Sequence, residues 1–425
     1  MAKTSTPAAP PAPQPPYLKR VHLRNVPPLR DVKADFKPGL NIIIGKNGSG
    51  KTNFMRLVSE LTDLHRPKYR GVGCDLTLVV NELDINILFK DGGREQFYTP
   101  SYPRSASNRI ALKTVVTHKS AATEHEIGFV AVNAVMSVVS PNQWNLGYQI
   151  LSIWHGIPNH RQIIIDEGAD LAFDDAGSMS VTSESDSNWP LGGVLERALI
   201  DSVVPYDIGS LANKFTSIAS EEVYKFIISS ITICLDNLNT YLPVYSPIQS
   251  VRLGKQFQVY SNSTKDELIV KGLTLEYLIA GDWLPFSALS DGTKRIFYIV
   301  GELTTHLYSI GRRNDIGSVP IDVDKIIFLE EPELGIHPDQ LQLLLQLIRE
   351  VSREHQVIMT THSPQTLDML SGQELDRITI CEFIPGKGTQ MRKLSAAKKN
   401  KAKAYLRDQG FLSEFWRFSN LEDPD

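Results

Sequence analysis

Residues 39–56 constrain the chain more than any other stretch. They read Gly-Leu-Asn-Ile-Ile-Ile-Gly-Lys-Asn-Gly-Ser-Gly-Lys-Thr-Asn-Phe-Met-Arg. Leu40, Ile42, Ile43 and Ile44 predict a short buried strand, Gly45 breaks it, and a helix is expected to begin near Lys51. The spacing is G-x-x-x-x-G-K-[ST], in the strand–loop–helix context that this pattern needs. Glycines let backbone N–H groups curl round a phosphate with no Cβ in the way. The helix start adds its partial positive charge. Gly45, Lys46, Asn47, Gly48, Ser49, Gly50, Lys51 and Thr52 are therefore the candidate ATP-binding loop. Lys51 is expected at the β- and γ-phosphates, and the Thr52 hydroxyl on Mg²⁺. An ordinary glycine-rich turn would share the glycines, but not both flanks and the Lys-Thr pair.

Length and charge set the outer bounds. At 425 residues the chain predicts two domains, or one core with a large insertion. With 44 basic and 48 acidic residues the molecule is no polycation, so any nucleic-acid contact must be local. Cys74, Cys234 and Cys381 lie far apart, which gives neither metal spacing nor a disulfide framework and fits a reducing compartment. No apolar run reaches the roughly 18 residues of a membrane span, and the start lacks a signal-peptide core. A soluble, cytoplasmic protein with no membrane partner is expected.

Residues 1–16 hold six prolines and four alanines and predict a disordered or polyproline tail. Strands are expected at 17–23 and 29–36, then at 76–89, 110–116 and 126–139, the later ones as an antiparallel sheet beside the loop's core. The first helix is expected from Lys51 to about Leu64. Between residues 166 and 187 lie seven carboxylates among serines, a pattern that reads first as a solvated acidic loop. Ile163–Glu167 imitates a strand ending in two acids, but nothing that should accompany such a strand stands near it. Residues 192–243 carry helical periodicity, too short and irregular for a coiled coil. Strands follow at 250–260 and 268–279.

The chemistry resumes after Leu284. Phe-Ser-Ala-Leu-Ser-Asp-Gly-Thr-Lys-Arg-Ile ends in a predicted helix from Arg295 to about Ile310, so Ser290 and Gly292 offer a second anion-binding helix start. Lys325–Pro338 reads Lys-Ile-Ile-Phe-Leu-Glu-Glu-Pro-Glu-Leu-Gly-Ile-His-Pro, a buried strand with paired carboxylates at the edge where open α/β sheets bind ligands. Glu330 is the candidate Mg²⁺ ligand, and Glu331 the base for the attacking water. Asp339 is expected to cap the next helix. The strand at 356–361 runs into Thr-Thr-His-Ser-Pro, which brings His362 to the same edge.

These four blocks together resemble an ABC-type ATPase head. They are most similar to the RecF/SMC-related branch that includes the OLD ATPases, some of which resemble ATPase subunits of anti-phage defence systems. The likeness covers residues 17–60 and 284–385. It implies an α/β P-loop NTPase fold with a mixed-sheet core, an antiparallel β subdomain and a helical insertion. It also implies ATP and Mg²⁺ as cofactors, Lys51, Glu331 and His362 as catalytic residues, and head-to-tail dimers in which Ser290 and Gly292 serve the neighbouring chain's ATP. Gln143 stands as the guess for a further Mg²⁺-holding glutamine. Lys51 and Ser290 lie 239 positions apart, wider than a transporter head, with no SMC-type coiled coil between. Val26-Pro27-Pro28 replaces the family's aromatic–Arg pair, which leaves the adenine clamp unplaced. Too few residues follow His362 for the nuclease of OLD proteins, so a nuclease is expected as a separate effector.

The expected units are 1–16, a tail; 17–160, the P-loop lobe; 161–247, the acidic loop and helical insertion; 248–385, the lobe of Ser290, Glu331 and His362; and 386–425, a basic and aromatic end. Eight Lys or Arg residues and no acid lie between Glu382 and Asp408, predicting a basic helix. Four aromatics between Phe411 and Phe418 are expected to be buried, on the head or in a partner. Two functions fit: a regulatory ATPase, acting as a homo-oligomer that senses a nucleic acid or phage protein and controls an effector, or a RecF-like repair ATPase that clamps DNA. The second needs a continuous basic face, which the charge balance argues against.

Overall fold

The computed structural model describes residues 15–62, 221–262, 267–304, 324–408, 410–419 and 421, with the strands between residues 73 and 182 named below. Its centre is a mixed sheet around three short apolar strands, β3 (Leu40–Ile44), β20 (Asp324–Glu330) and β21 (Gln356–Thr360). Every residue of β3 and β21 is buried, which is the pattern of parallel strands covered on both faces. The strands pair in parallel in the order β3–β21–β20.

On one side of β3 the sheet continues into β22 (Ile378–Ile384) and its antiparallel partner β23 (Gly388–Lys393). On the other side, β20 pairs in parallel with β11 (Asn145–Trp154). β10 (Val135–Val139), β9 (Ile127–Val132) and β6 (Arg109–Leu112) extend it antiparallel, and β12 (Ile157–Pro158) pairs with β11.

A second, antiparallel sheet holds β1 (Tyr17–Val26), β2 (Leu29–Asp35), β4 (Gly73–Val80), β5 (Leu83–Phe89), β7 (Thr114–His118) and β8 (Ala121–Glu124). Gln356, fully buried at the start of β21, ties the two sheets. It accepts from Leu18 N at 2.8 Å and donates to Leu18 O at 2.9 Å and Lys37 O at 3.1 Å.

The runs expected at 76–89, 110–116 and 126–139 are each two strands, and they split between the sheets: β6, β9 and β10 extend the core rather than lying beside it. The acidic stretch is not simply a loop. Ala169–Phe173 and Met179–Thr182 are strands β13 and β14 of a sheet with β16 (Gln258–Asn262) and β17 (Glu267–Leu273), and Asp170 lies in β13. The other six carboxylates and Ile163–Glu167 lie outside the described residues. The stretches at 250–260 and 268–279 likewise divide, giving β15 (Ser250–Leu253) and β18 (Leu275–Ile279), which join β19 (Asp282–Pro285) in a small sheet.

Six α-helices lie among the described residues. α1 (Lys51–Thr62) buries Phe54, Met55, Leu57, Val58 and Leu61. α2 (Glu221–Tyr245) buries Ile231, Cys234, Leu238 and Leu242, the three- and four-residue spacing expected of one helix face. α3 (Asp291–Thr304) starts four residues earlier than predicted and buries Ile296, Phe297, Ile299 and Val300. α4 (Pro338–Val351) buries Leu341, Leu344, Leu345, Leu347 and Ile348. Its cap is His337, not Asp339: His337 Nδ1 accepts from Asp339 N at 3.4 Å, and Pro338 occupies the first turn, where a missing N–H costs nothing. Asp339, two places after the cap, still faces the positive end of the helix dipole.

The basic run is not one helix. Arg392 and Lys393 lie in β23 and Lys387 in the turn before it, because the alternation there suits a hairpin; only α5 (Ala396–Asp408) is helical. α6 (Leu412–Ser419) straps onto the head. Phe415 is buried, Ser413 N donates to Asp368 Oδ1 at 2.8 Å, and Tyr405 and Phe415 meet at 5.6 Å. The four aromatics divide: Trp416 packs partly against the core, whereas Phe411 and Phe418 are 63% and 82% exposed. No helix of the described residues is long and apolar enough to cross a membrane.

Candidate active site

Sheet register brings the sequence blocks to one edge. Ile43 pairs with Thr360, and Thr360 with Glu330. Three neighbouring strands therefore end level, at the spacing of about 4.8 Å between adjacent strands. The P-loop leaves β3, Glu331 follows β20, and His362 follows β21, all toward the same side.

The P-loop rests on the β22–β23 hairpin. A methyl on Gly45 would lie 2.0 Å from Cys381 O, and one on Gly50 2.2 Å from Thr389 Oγ1, so glycine at both places is required by contact. Thr389 Oγ1 donates to Ser49 O at 2.9 Å, and Cys381 Sγ lies 3.5 Å from the same oxygen. Burial pushes the Cys381 thiol up to about 11, which makes it packing rather than a nucleophile. Lys51, buried, donates through Nζ to Gly45 O at 2.8 Å and Lys46 O at 3.2 Å. Lys46, Asn47 and Gly48 are exposed at the loop's tip, and Thr52 is half-buried in the first turn of α1.

The fit of this loop to a phosphate rests on Ser49. Its hydroxyl is buried and has no hydrogen-bond partner among the described residues, an arrangement that costs about 1–3 kcal/mol unless something accepts or donates there. Thr360 Oγ1 is in the same position beside Glu330, whose carboxylate is buried at the end of β20. Hard oxygen donors of this kind, with the Thr52 hydroxyl, suit Mg²⁺. Gln143 lies outside the described residues.

Glu331 has φ 44°, a left-handed backbone that costs a non-glycine residue roughly 1–2 kcal/mol. The turn is held by Glu331 N donating to Thr360 O at 3.0 Å and Leu334 N donating to Glu331 O at 3.1 Å. It turns the Glu331 carboxylate toward His362, with Oε1 and Nε2 3.0 Å apart. A carboxylate and an imidazole in contact at a sheet edge can hold a water and a phosphoryl oxygen side by side.

Ser290 is the cap of α3, its Oγ accepting from Thr293 N at 3.2 Å. Tyr277, Phe286 and Phe297 pack beneath it, the rings of Tyr277 and Phe297 edge-on at 5.1 Å. In its own chain the start of α3 leans on the turn after Glu331. Arg295 Nη1 donates to Leu334 O, and a methyl on Gly292 would meet Gly335 O at 2.6 Å. Ser290 itself is exposed.

Sequence reasoning missed Glu333, Thr389 and Arg295. Glu333 was in view as the third acid of Glu-Glu-Pro-Glu, but nothing in a linear motif says that its side chain reaches 30 residues ahead.

Two family models match. "AAA domain" matches residues 20–58, and "AAA domain, putative AbiEii toxin, Type IV TA system" matches residues 199–368. The chain is 31% identical over 97 residues to Septu protein PtuA of Bacillus thuringiensis, 23% of this chain and 24% of that protein. It is 41% identical over 54 residues to the DNA replication and repair protein RecF of Lactococcus lactis subsp. cremoris, 12% of this chain and 15% of RecF. The matches thus span a quarter or less of the length of these relatives. Among solved structures, the Smc head bound to the C-terminal domain of ScpA from Pyrococcus furiosus has a TM-score of 0.43 at 13% identity, covering 92% of this chain and all of that one. The two AAA-domain matches take in the P-loop and the stretch from Ser290 to His362 respectively, so both halves of this site fall within segments that are similar to AAA domains.

Proposed function

We propose that the protein hydrolyses ATP with Mg²⁺ and that its ATP-sandwiched dimers, or higher oligomers, act as sensor and regulatory scaffold for a separate effector, a nuclease, in anti-phage defence. The observation that carries the hydrolytic reading is the Glu331–His362 pair at 3.0 Å, level with the P-loop. In this reading Lys51 and the amides of 45–50 exchange their internal bonds for the β- and γ-phosphates. Mg²⁺, held by Thr52 and Glu330, would neutralise charge on the phosphate oxygens. Glu331 accepts the proton of the attacking water as its oxygen bonds to the γ-phosphorus, and the electron pair of the broken bond leaves on ADP. His362 holds the γ-phosphate in line.

Dimerisation is supported by the exposed Ser290, a capped helix start that presents its polar groups outward. The defence role draws on the resemblance of the motif set and on the likeness to Septu protein PtuA. Because α6 is part of the head, the aromatic docking candidates narrow to Phe411 and Phe418, with Arg407 and Arg417 beside them. The second reading, a RecF-like ATPase that holds DNA, is favoured by the RecF identity and the five Lys or Arg of α5.

Mixing variants tests the composite site. Lys51→Ala and Ser290→Arg chains should each be inactive, and together recover roughly a quarter of the parental rate, for random pairing with one intact site per heterodimer. If both variants dimerise with ATP yet the mixture stays inactive, the site is built within one chain.

A further inference from the structure

The Glu331–His362 pair needs its two loops held in register, and the side chain that holds them is neither of the pair. Glu333 Oε1 accepts three hydrogen bonds from consecutive residues of the other loop. Thr361 Oγ1 donates at 2.8 Å, His362 N at 2.9 Å and Ser363 N at 3.2 Å. Thr361 Oγ1 in turn accepts from Ser363 N at 2.9 Å and from Thr366 Oγ1 at 3.1 Å, which fixes the turn that follows.

The opposite end of the same short loop is pinned by the Glu331 N–Thr360 O bond. Glu331 and Glu333 therefore fasten residues 360–363 at two points, one through backbone and one through a carboxylate. His362 itself is exposed, with Glu331 as its side-chain contact. The imidazole's place is thus set by its backbone, and its backbone by Glu333.

We propose that Glu333 is a positioning residue for hydrolysis, which acts by clamping the His362 loop against the Glu331 turn. The proposal rests on the ATPase reading for its effect on rate, but the clamp itself can be measured without turnover. A carboxylate oxygen taking three donors is replaceable by an amide oxygen and not by a methyl. Glu333→Gln should keep kcat within about threefold of the parent, whereas Glu333→Ala should lower kcat by about 10²-fold, the cost of a misplacement near 1 Å, with KM for ATP little changed.

A structural side effect would lower the rate whatever stands at 362. The clamp predicts otherwise. In a His362→Ala background, Glu333→Ala should cost less than about threefold more, because residues that act as a unit are not additive. Diethyl pyrocarbonate modification at His362, followed by mass spectrometry in folded protein, should be several-fold faster in Glu333→Ala than in the parent or Glu333→Gln.

An equal loss of kcat with and without His362, or an unchanged modification rate in Glu333→Ala, overturns the proposal. A parent that hydrolyses no ATP overturns the ATPase reading instead. The modification rates then decide the clamp by themselves.

Discussion

The two halves of the site are built on opposite plans. The P-loop is backbone and glycine, braced from behind by a hairpin, with its lysine bonded to its own carbonyls. The edge that carries Glu331 and His362 is side chain upon side chain, cross-linked before any substrate arrives. In the proposed function, binding would therefore exchange bonds, Lys51 giving up Gly45 O and Lys46 O for phosphate. Catalysis asks for no such exchange. The left-handed turn at Glu331 is already made, and its cost is met by the fold. The contrast predicts that damage to the first half shows in affinity and damage to the second in turnover.

Glu331→Gln tests that division with the largest effect. Losing the general base should slow hydrolysis by about 10²–10⁴, or about 3–5 kcal/mol, while ATP affinity stays within a few-fold. The amide keeps the size of the side chain and its place beside His362. Single-turnover hydrolysis and equilibrium binding separate the two quantities. Parental turnover in this variant would remove Glu331 from the role of base, and a matching loss of affinity would erase the distinction between the halves.

The same division decided what the sequence disclosed. Glycine spacing and apolar runs are local, so the P-loop, the Glu330–Glu331 strand end and the strand before His362 could be read with their neighbours. What braces them is remote. Thr389 lies about 340 positions from Ser49, which it supports. The hairpin that holds it hid inside a run of basic residues that reads as helix. Glu333 sits in plain view but binds residues beyond a whole helix. His337 took the cap from Asp339 because Pro338 fixes where the helix can begin, a two-residue shift that composition does not resolve. Likewise the strands between 109 and 139 alternate identically whichever sheet they join, so their division between two sheets is set by packing.

A smaller and purely steric test concerns the brace behind the P-loop. Gly50 has φ 102° and a methyl there would meet Thr389 Oγ1 at 2.2 Å, whereas Gly48 has φ 77° and open space round it. Gly48→Ala should carry only the left-handed backbone cost, about 1–2 kcal/mol. Gly50→Ala adds overpacking against a buried side chain, about 1–3 kcal/mol more, and should also weaken ATP binding. Thermal melts and fluorescent-nucleotide titrations report both. Equal melting points for the two variants would mean that the hairpin yields freely and does not shape the loop.

The smallest expected effect lies at the far end of that hairpin. Lys393 Nζ donates to Thr379 Oγ1 at 2.8 Å and sits 6.0 Å above the Phe36 ring. Burial holds its ammonium down at about 8, with Lys399 and Lys37 adding to the fall and Asp376 and Asp35 opposing it. An unfolded lysine titrates near 10.4, so between about pH 8 and 10.4 the unfolded chain binds more protons, and stability rises with pH through that window. Below about pH 8 the burial cost is present in full. From pH 7 to 9.5 the parent should gain about 1–2 kcal/mol more than Lys393→Met, measured by urea unfolding at both values. Equal gains would place the ammonium in water after all. ATP affinity should not follow, because Thr389, not Lys393, touches the P-loop: the hairpin supports the phosphate site by its shape at one end, and a modest change in stability at the other leaves that shape intact. An affinity that climbs with pH in the parent and not in Lys393→Met would show instead that the P-loop's readiness to bind is limited by how firmly the hairpin is folded behind it.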